Sequence, residues 1–204
     1  MLAELNNKKL PQKFYLQSVL NVARKLLGKI FVKSSNGELL AGRIVEVEAY
    51  DGLIDEASHA FIGKTKRNEV MFREGGLLYV YFTYGMYYCC NVVTGKKDEG
   101  KAVLIRALEP IEGIKQMALN RFGKDFLSGK ELLNLTSGPG KICMAYNITR
   151  KENGTDLLDS KIYILNNKNI PDKDVVVSKR IGIKKSSELL WRFYIKNNPY
   201  VSKK

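Results

Sequence analysis

Leu77-Leu78-Tyr79-Val80-Tyr81-Phe82-Thr83-Tyr84-Gly85-Met86-Tyr87-Tyr88-Cys89-Cys90-Asn91-Val92-Val93 is the longest apolar stretch of this 204-residue chain, and its reading decides the fold. Thr83, Gly85 and Asn91 interrupt it, so it lacks the roughly 20 consecutive apolar residues that a bilayer demands of a helix. It reads as two strands, near Leu77–Phe82 and Tyr87–Val93, with Tyr84-Gly85-Met86 where the chain must turn. Tyr79 and Tyr81 share a strand face. A hairpin here makes the sheet antiparallel from its outset.

Upstream, Lys29–Lys33 and Leu39–Tyr50 read as strands around Asn36-Gly37, a strong hairpin signal. Helical spacing over residues 14–27 (Leu16, Val19, Leu20, Ala23, Leu26, Leu27) stops at Gly28, a suitable C-terminal cap. Residues 1–13 read as a basic leader. Asp51–Gly76 is polar, with one short helix near Arg67–Phe72. Downstream, Ala102–Leu108 is a strand that Pro110 should end, followed by a helix over Ile111–Phe122. A further helix opens at Ser137-Gly138-Pro139, with Ser at the cap and Pro in the first turn. Strands return near Lys161–Leu165, Val175–Ile183 and Arg192–Ile195. Strands joined by hairpins, with helices inserted, imply an α+β fold with a mostly antiparallel sheet, as a single domain over residues 14–204.

Composition narrows the function. An apolar fraction of 45% and a charged fraction of 27% are those of a globular chain. Adjacent Cys89 and Cys90 with a third Cys143 suit neither a disulfide framework nor a metal knuckle, and one histidine, His59, cannot supply a zinc set, so no metal or cofactor is expected. The start of the chain shows no secretory pattern. The net charge of +13 is concentrated toward the two ends, while residues 44–100 are locally acidic. Such a chain favours polyanions through counterion release, although lysine-rich composition can also serve solubility alone.

In Arg43–Tyr50, alternation places Ile44, Glu46, Glu48 and Tyr50 on one face and Val45, Val47 and Ala49 on the other. The second face reads as core. Two carboxylates beside an aromatic fit either a solvent-facing strand or a general base at a pocket wall. Tyr84, at an exposed hairpin tip, gains nothing from a core but has the flat shape of a wedge for a base stack. Arg106 shares its face with Leu104 and Leu108, so its partner should be one of the glutamates or a DNA phosphate. His59 completes no Ser-His-Asp arrangement and is not followed by the H-x-E of zinc deaminases. Ser137-Gly138-Pro139-Gly140-Lys141 lacks the spacing of a nucleotide triphosphate loop, although a backbone phosphate contact remains open.

With these residues in place, the sequence resembles the alkyladenine (3-methyladenine) DNA glycosylase family over most of its length. The motifs are RIVEVEAY (43–50), DEASHA (55–60), RNEVMF (67–72), LYVYFTYGMYYCCNVV (78–93), VLIRALEP (103–110), SGPGKIC (137–143), RIGI (180–183) and WRFYIKNNPYVS (191–202). The resemblance implies a curved antiparallel sheet surrounded by helices, with a protruding hairpin. It implies that Glu48 activates the attacking water, with Arg106 and the main-chain carbonyl of Ile181 holding it. Tyr50, His59 and Tyr81 would enclose a flipped base, and His59 would also offer it a hydrogen bond. Asn91 would exclude normal guanine, and Tyr84, with Met86 beside it, would intercalate.

The implied activity is excision of alkylated or deaminated purines from double-stranded DNA by a monomer that neither cleaves the strand nor needs a cofactor. A bacterial cytoplasmic setting is expected, or a nuclear one in a eukaryote. Tyr200 stands where relatives often carry Trp, the loop between Gly182 and Trp191 is short, and no long N-terminal extension is present. Glu46 is the rival to Glu48 as base. A damage-recognition protein without catalysis is the alternative class, and a nucleoside hydrolase is a third.

Overall fold

A computed structural model describes residues 8–35 and 37–203 of the chain. Its helices are α1 (Gln12–Tyr15), α2 (Val19–Leu26), α3 (Ile114–Phe122), α4 (Gly129–Asn134) and α5 (Pro139–Ala145). Its strands are β1 (Ile30–Ser35), β2 (Glu38–Asp51), β3 (Leu78–Thr83), β4 (Tyr87–Thr94), β5 (Lys101–Glu112), β6 (Ile162–Leu165), β7 (Val175–Ser178) and β8 (Arg192–Ile195). The strands form one curved sheet in the order β3-β4-β5-β2-β1-β6, with β8 paired to β2 and β7 to β8. Every pairing is antiparallel, as the α+β reading required.

The 14-residue β2 organises the sheet. One edge pairs with β5 along most of its length. The other edge is divided, with β1 against Glu38–Arg43 and β8 against Glu46–Glu48. Between the two halves the β2–β5 ladder slips twice, leaving Val45 without a partner on β2 and Arg106 without one on β5. Bulges of this kind bend a strand and re-aim its side chains.

The bulges correct two expectations drawn from strict alternation. Ile44 leaves the face of Glu46 and joins Val47 and Ala49 in the main core. On β5, Leu108 and Ile105 enter that core, while Arg106 keeps company with Leu104 on the other side of the sheet. The main core lies between the sheet and the helices, with Val22, Ala23 and Leu26 from α2, Met117 from α3, and Ile142, Cys143 and Ala145 from α5. A smaller core of Ala60, Val70, Met71, Tyr79, Val93 and Ala102 fills the opposite side under the 51–76 segment. Both sheet faces are therefore covered, and the pocket opens on the second.

Other boundaries differ for local reasons. The expected 14–27 helix is two helices, because the Ser18 side chain accepts the Asn21 N–H (3.4 Å) and starts α2 afresh. Gly28, with φ +83°, ends it as expected. Pro110 does not stop β5: β4 pairs only with its Lys101–Leu104 part, so Pro110 lies opposite Gly42 with no β4 partner that would need its missing N–H. The following helix opens three residues late, after Gly113 in the left-handed region. The strand expected over Val175–Ile183 stops at Ser178, and the short helix near Arg67–Phe72 is a 3-10 turn over Glu69–Phe72. Helix α4, with a Ser128/Glu131 capping box, was not anticipated. Residues 1–7 of the leader and Asn36 lie outside the described residues. Leu10, within the leader, is buried in the core and donates its N–H to Ile164 (2.9 Å).

Candidate active site

Glu46 and Glu48 project from the bulged half of β2, and both side chains are wholly buried (0% exposed). This rules out the solvent-facing strand. Their surroundings separate them. Glu46 accepts from Arg106 Nε (3.1 Å), Arg192 Nε (2.8 Å), Ser202 N (2.7 Å) and Ser202 Oγ (3.0 Å). A carboxylate has about four acceptor positions, so this one is saturated and serves as a structural anchor.

Glu48 accepts three hydrogen bonds: Tyr50 Oη (2.8 Å) and Arg106 Nη1 (3.3 Å) on Oε2, and the Ile181 N–H (2.7 Å) on Oε1. By the same count one acceptor position is left. Its three donors come from residues that line a cavity of about 330 Å³. That volume is at the small end of ligand pockets, the size for one flat heterocycle rather than an extended ligand. Tyr50, His59, Tyr79, Tyr81, Cys89, Asn91, Leu104, Arg106, Ile181 and Tyr84 all contribute to the lining. The bulge on β5 is what turns Arg106 toward both glutamates. Burial disfavours its charge, yet Glu48 and then Glu46 outweigh this and hold its pKa above the usual value.

The aromatic walls are rigidly assembled. His59 and Tyr81 meet edge to face with ring centroids 4.5 Å apart, and Tyr79 lies 5.5 Å from Tyr81. His59 Nδ1 is 3.1 Å from Tyr79 Oη. His59 and Tyr81 thus form parts of a single wall, with no room for a ring between them. Burial, reinforced by Arg67, lowers the His59 pKa, so the imidazole is neutral at neutral pH. Burial and then the Glu48 charge raise that of Tyr50, and burial lifts Tyr79 to about 12, so both keep their hydroxyl protons. Asn91, opposite Tyr79 in the β3–β4 ladder, is buried and donates Nδ2 to the Tyr79 carbonyl (3.2 Å).

The hairpin tip is built by its backbone. Tyr84 (φ 52°) and Gly85 (φ 67°) are both left-handed, and the Met86 N–H donates to the Thr83 carbonyl (3.2 Å). For tyrosine this conformation is strained, and strain of this sort concentrates at functional sites. Tyr84 is 82% exposed at the cavity mouth, whereas Met86, 64% exposed, is not part of the lining.

The sequence motifs contained further residues whose pairing no spacing could show. Arg192 and Ser202 hold Glu46. Arg67 donates to the Phe82 carbonyl (3.3 Å) and lies 5.8 Å from the Tyr81 ring. Arg180 forms a buried ion pair with Asp55, 125 residues away in the chain. Ile181 enters through its N–H, a contact for which the sequence held no signal.

A small aromatic cavity, a buried carboxylate held by three groups of its lining, and an exposed tyrosine at its mouth in a basic chain define a class of site: one that can admit a single base and hydrolyse a bond to it. The family model "Methylpurine-DNA glycosylase (MPG)" matches residues 13–199, and the chain belongs to that family of DNA repair glycosylases. Among its relatives, a protein of Clostridium novyi is 51% identical over 203 residues, covering 97% of this chain and 100% of that protein. One of Carboxydothermus hydrogenoformans is 53% identical over 196 residues (96% and 99%), and one of Francisella tularensis subsp. tularensis 50% over 188 (91% and 94%). Each bears the name "Putative 3-methyladenine DNA glycosylase". Among the described residues no helix is long and apolar enough to cross a membrane.

Proposed function

We propose that the protein is a monofunctional glycosylase for alkylated and deaminated purines in duplex DNA. The observation that carries this reading is the state of Glu48: buried, ionic with Arg106, gripped by three donors and left with one acceptor position beside the cavity. A water hydrogen-bonded there loses its proton to Glu48 as its oxygen attacks the sugar C1′. The C1′–N bond breaks with its electron pair leaving on the base, which yields free base and an abasic site. Arg106 and the carbonyl of Ile181, the residue whose N–H already grips Glu48, would hold that water.

Tyr84 enters the base stack and fills the gap left by the extruded nucleotide. The base lies against Tyr50 on one side and the His59–Tyr81 wall on the other. Alkylation at N3 or N7 makes a purine cationic, which favours aromatic faces and makes the base a good leaving group. The immobilised Asn91 amide is the group that would meet the 2-amino substituent of an intact guanine. Lyase chemistry needs an amine nucleophile, and the described lining contains no lysine, which supports base release without strand cleavage. The protein would act as a monomer in a bacterial cytoplasm, a reading that the bacterial organisms of its relatives support only as to the bacterial part.

The test is single-turnover base release from duplexes carrying one hypoxanthine or ethenoadenine, and from methylated DNA, by wild type and Glu48→Gln. Alkali-dependent breaks in wild type, abolished in the variant while DNA binding persists, are expected. Lesion binding without release by the wild type would replace this reading with that of a damage-recognition protein.

A further inference from the structure

Arg180 is a buried cation close to the cavity that the proposed chemistry leaves without a role. Its side chain is fully buried, and its guanidinium makes a two-pronged ion pair with Asp55, including Nη2 to Oδ1 at 2.8 Å. Nη1 also donates to the Ala49 carbonyl (2.9 Å), and Nη2 to the Ser186 carbonyl (3.2 Å). Ala49 separates Glu48 from Tyr50 on β2. The next residue in the chain, Ile181, donates its N–H to Glu48 (2.7 Å). Covalent links and hydrogen bonds thus close a small ring: Glu48, Ala49 carbonyl, Arg180, Ile181 N–H and back to the Glu48 carboxylate.

The same guanidinium lies over the Tyr50 ring, 4.6 Å from its centroid, with the Trp191 ring 5.5 Å away. One face of Tyr50 is therefore covered, and the ring can offer only its other face to the cavity it lines. Tyr50 in turn donates its hydroxyl to Glu48. Arg180 consequently acts on the carboxylate by two routes, through the amide of Ile181 and through the ring of Tyr50.

We propose that Arg180, clamped by Asp55, is a positioning residue for base excision: it fixes the rotamer of Glu48 and the attitude of Tyr50 without touching substrate. The proposal rests on the reading of Glu48 as the base. A planar five-donor fork suits this task, since it can bind a carboxylate bidentately, accept an aromatic ring on its face and still reach two carbonyls.

Removing Arg180 alone would leave Asp55 as an unpaired buried charge, so the informative variant is the double substitution Asp55→Asn/Arg180→Gln, which neutralises both partners. The measurements are the single-turnover rate and the dissociation constant for a hypoxanthine duplex, both corrected for folded fraction. The expected result is a rate lower by about a hundredfold, as for a reacting group displaced by about an ångström, with affinity held within roughly threefold.

An unchanged rate would overturn the proposal, and so would a fall in rate and affinity together. If the wild type itself releases no base from any lesion, it is the glycosylase reading that fails, a result distinct from each of these.

Discussion

Glu46→Gln and Glu48→Gln make the same exchange, a carboxylate oxygen for an amide NH2, at neighbouring positions of one face, and the structure assigns them opposite consequences. Glu46, Glu48, Arg106 and Arg192 form a buried cluster whose charges balance. In Glu46→Gln, Arg106 retains Glu48, but Arg192 loses its carboxylate partner. Whichever way the new amide turns, its NH2 faces donors, either Arg106 and Arg192 Nε with Ser202 Oγ or the Ser202 N–H. Breaking a buried ion pair from one side costs about 3–5 kcal/mol, and each kcal/mol moves Tm by about 2–4 °C in a protein of this size, so a fall of roughly 6–20 °C is expected.

Glu48→Gln should cost far less stability, since Arg106 keeps Glu46 and the remaining amide oxygen can still accept a hydrogen bond, but it should abolish base release. The assay pairs thermal unfolding, followed by the fluorescence of the single tryptophan, Trp191, with single-turnover base release scaled to folded protein. Glu46→Gln unfolding at the wild-type midpoint, or fully folded yet inactive, would refute the division of labour between the two carboxylates.

Three further outcomes are expected. Tyr84→Gly relieves about 1–2 kcal/mol of left-handed strain and costs about 0.5–1 kcal/mol in chain entropy. Thermal stability should therefore hold or rise slightly while affinity for lesion duplex falls, and an unchanged affinity would remove the wedge. Because burial keeps the His59 pKa below its ordinary 6.5, the unfolded chain takes up that proton first as pH falls. Stability should thus decline below about pH 6.5 more steeply in wild type than in His59→Gln, as urea midpoints from about pH 8 to about pH 5 would show. Lys64 and Lys66 are exposed beyond His59, and replacing both with alanine should flatten the slope of log affinity against log salt by about 1 for each phosphate they neutralise.

Much of this was legible in the sequence where local rules govern. The β3–β4 hairpin, with Tyr84-Gly85 at its tip, follows from alternation and turn chemistry, and Gly28 ends its helix for backbone reasons alone. The candidate site residues between β2 and β5 were named from the resemblance to a known family, which several motifs in order along the chain carry. What could not be read is whatever depends on two strands slipping past each other. Alternation assigned Ile44 and Leu108 to the polar face, and only the paired bulges at Val45 and Arg106 reverse this. Pro110 reads as a stop until it is known that β4 pairs no further than Leu104. The grips on Glu46 from Ser202 and on Asp55 from Arg180 span 156 and 125 residues, beyond any local signal.

The divided edge of β2 also sets when the protein becomes an enzyme. Its first half finds β1 at once, but the half bearing Glu46 and Glu48 waits for β8, and the Glu46 anchor waits for Ser202. At about 5–20 residues per second, a ribosome needs roughly 8–30 s to add the intervening chain. Until then the two carboxylates have no complete set of partners, and the cavity lacks the Ile181 loop that closes it. On the reading of Glu48 as the base, a nascent chain that has not yet reached Ile181 and Ser202 would carry an incomplete site, and the capacity to break a glycosidic bond would arise only once those last contacts are made.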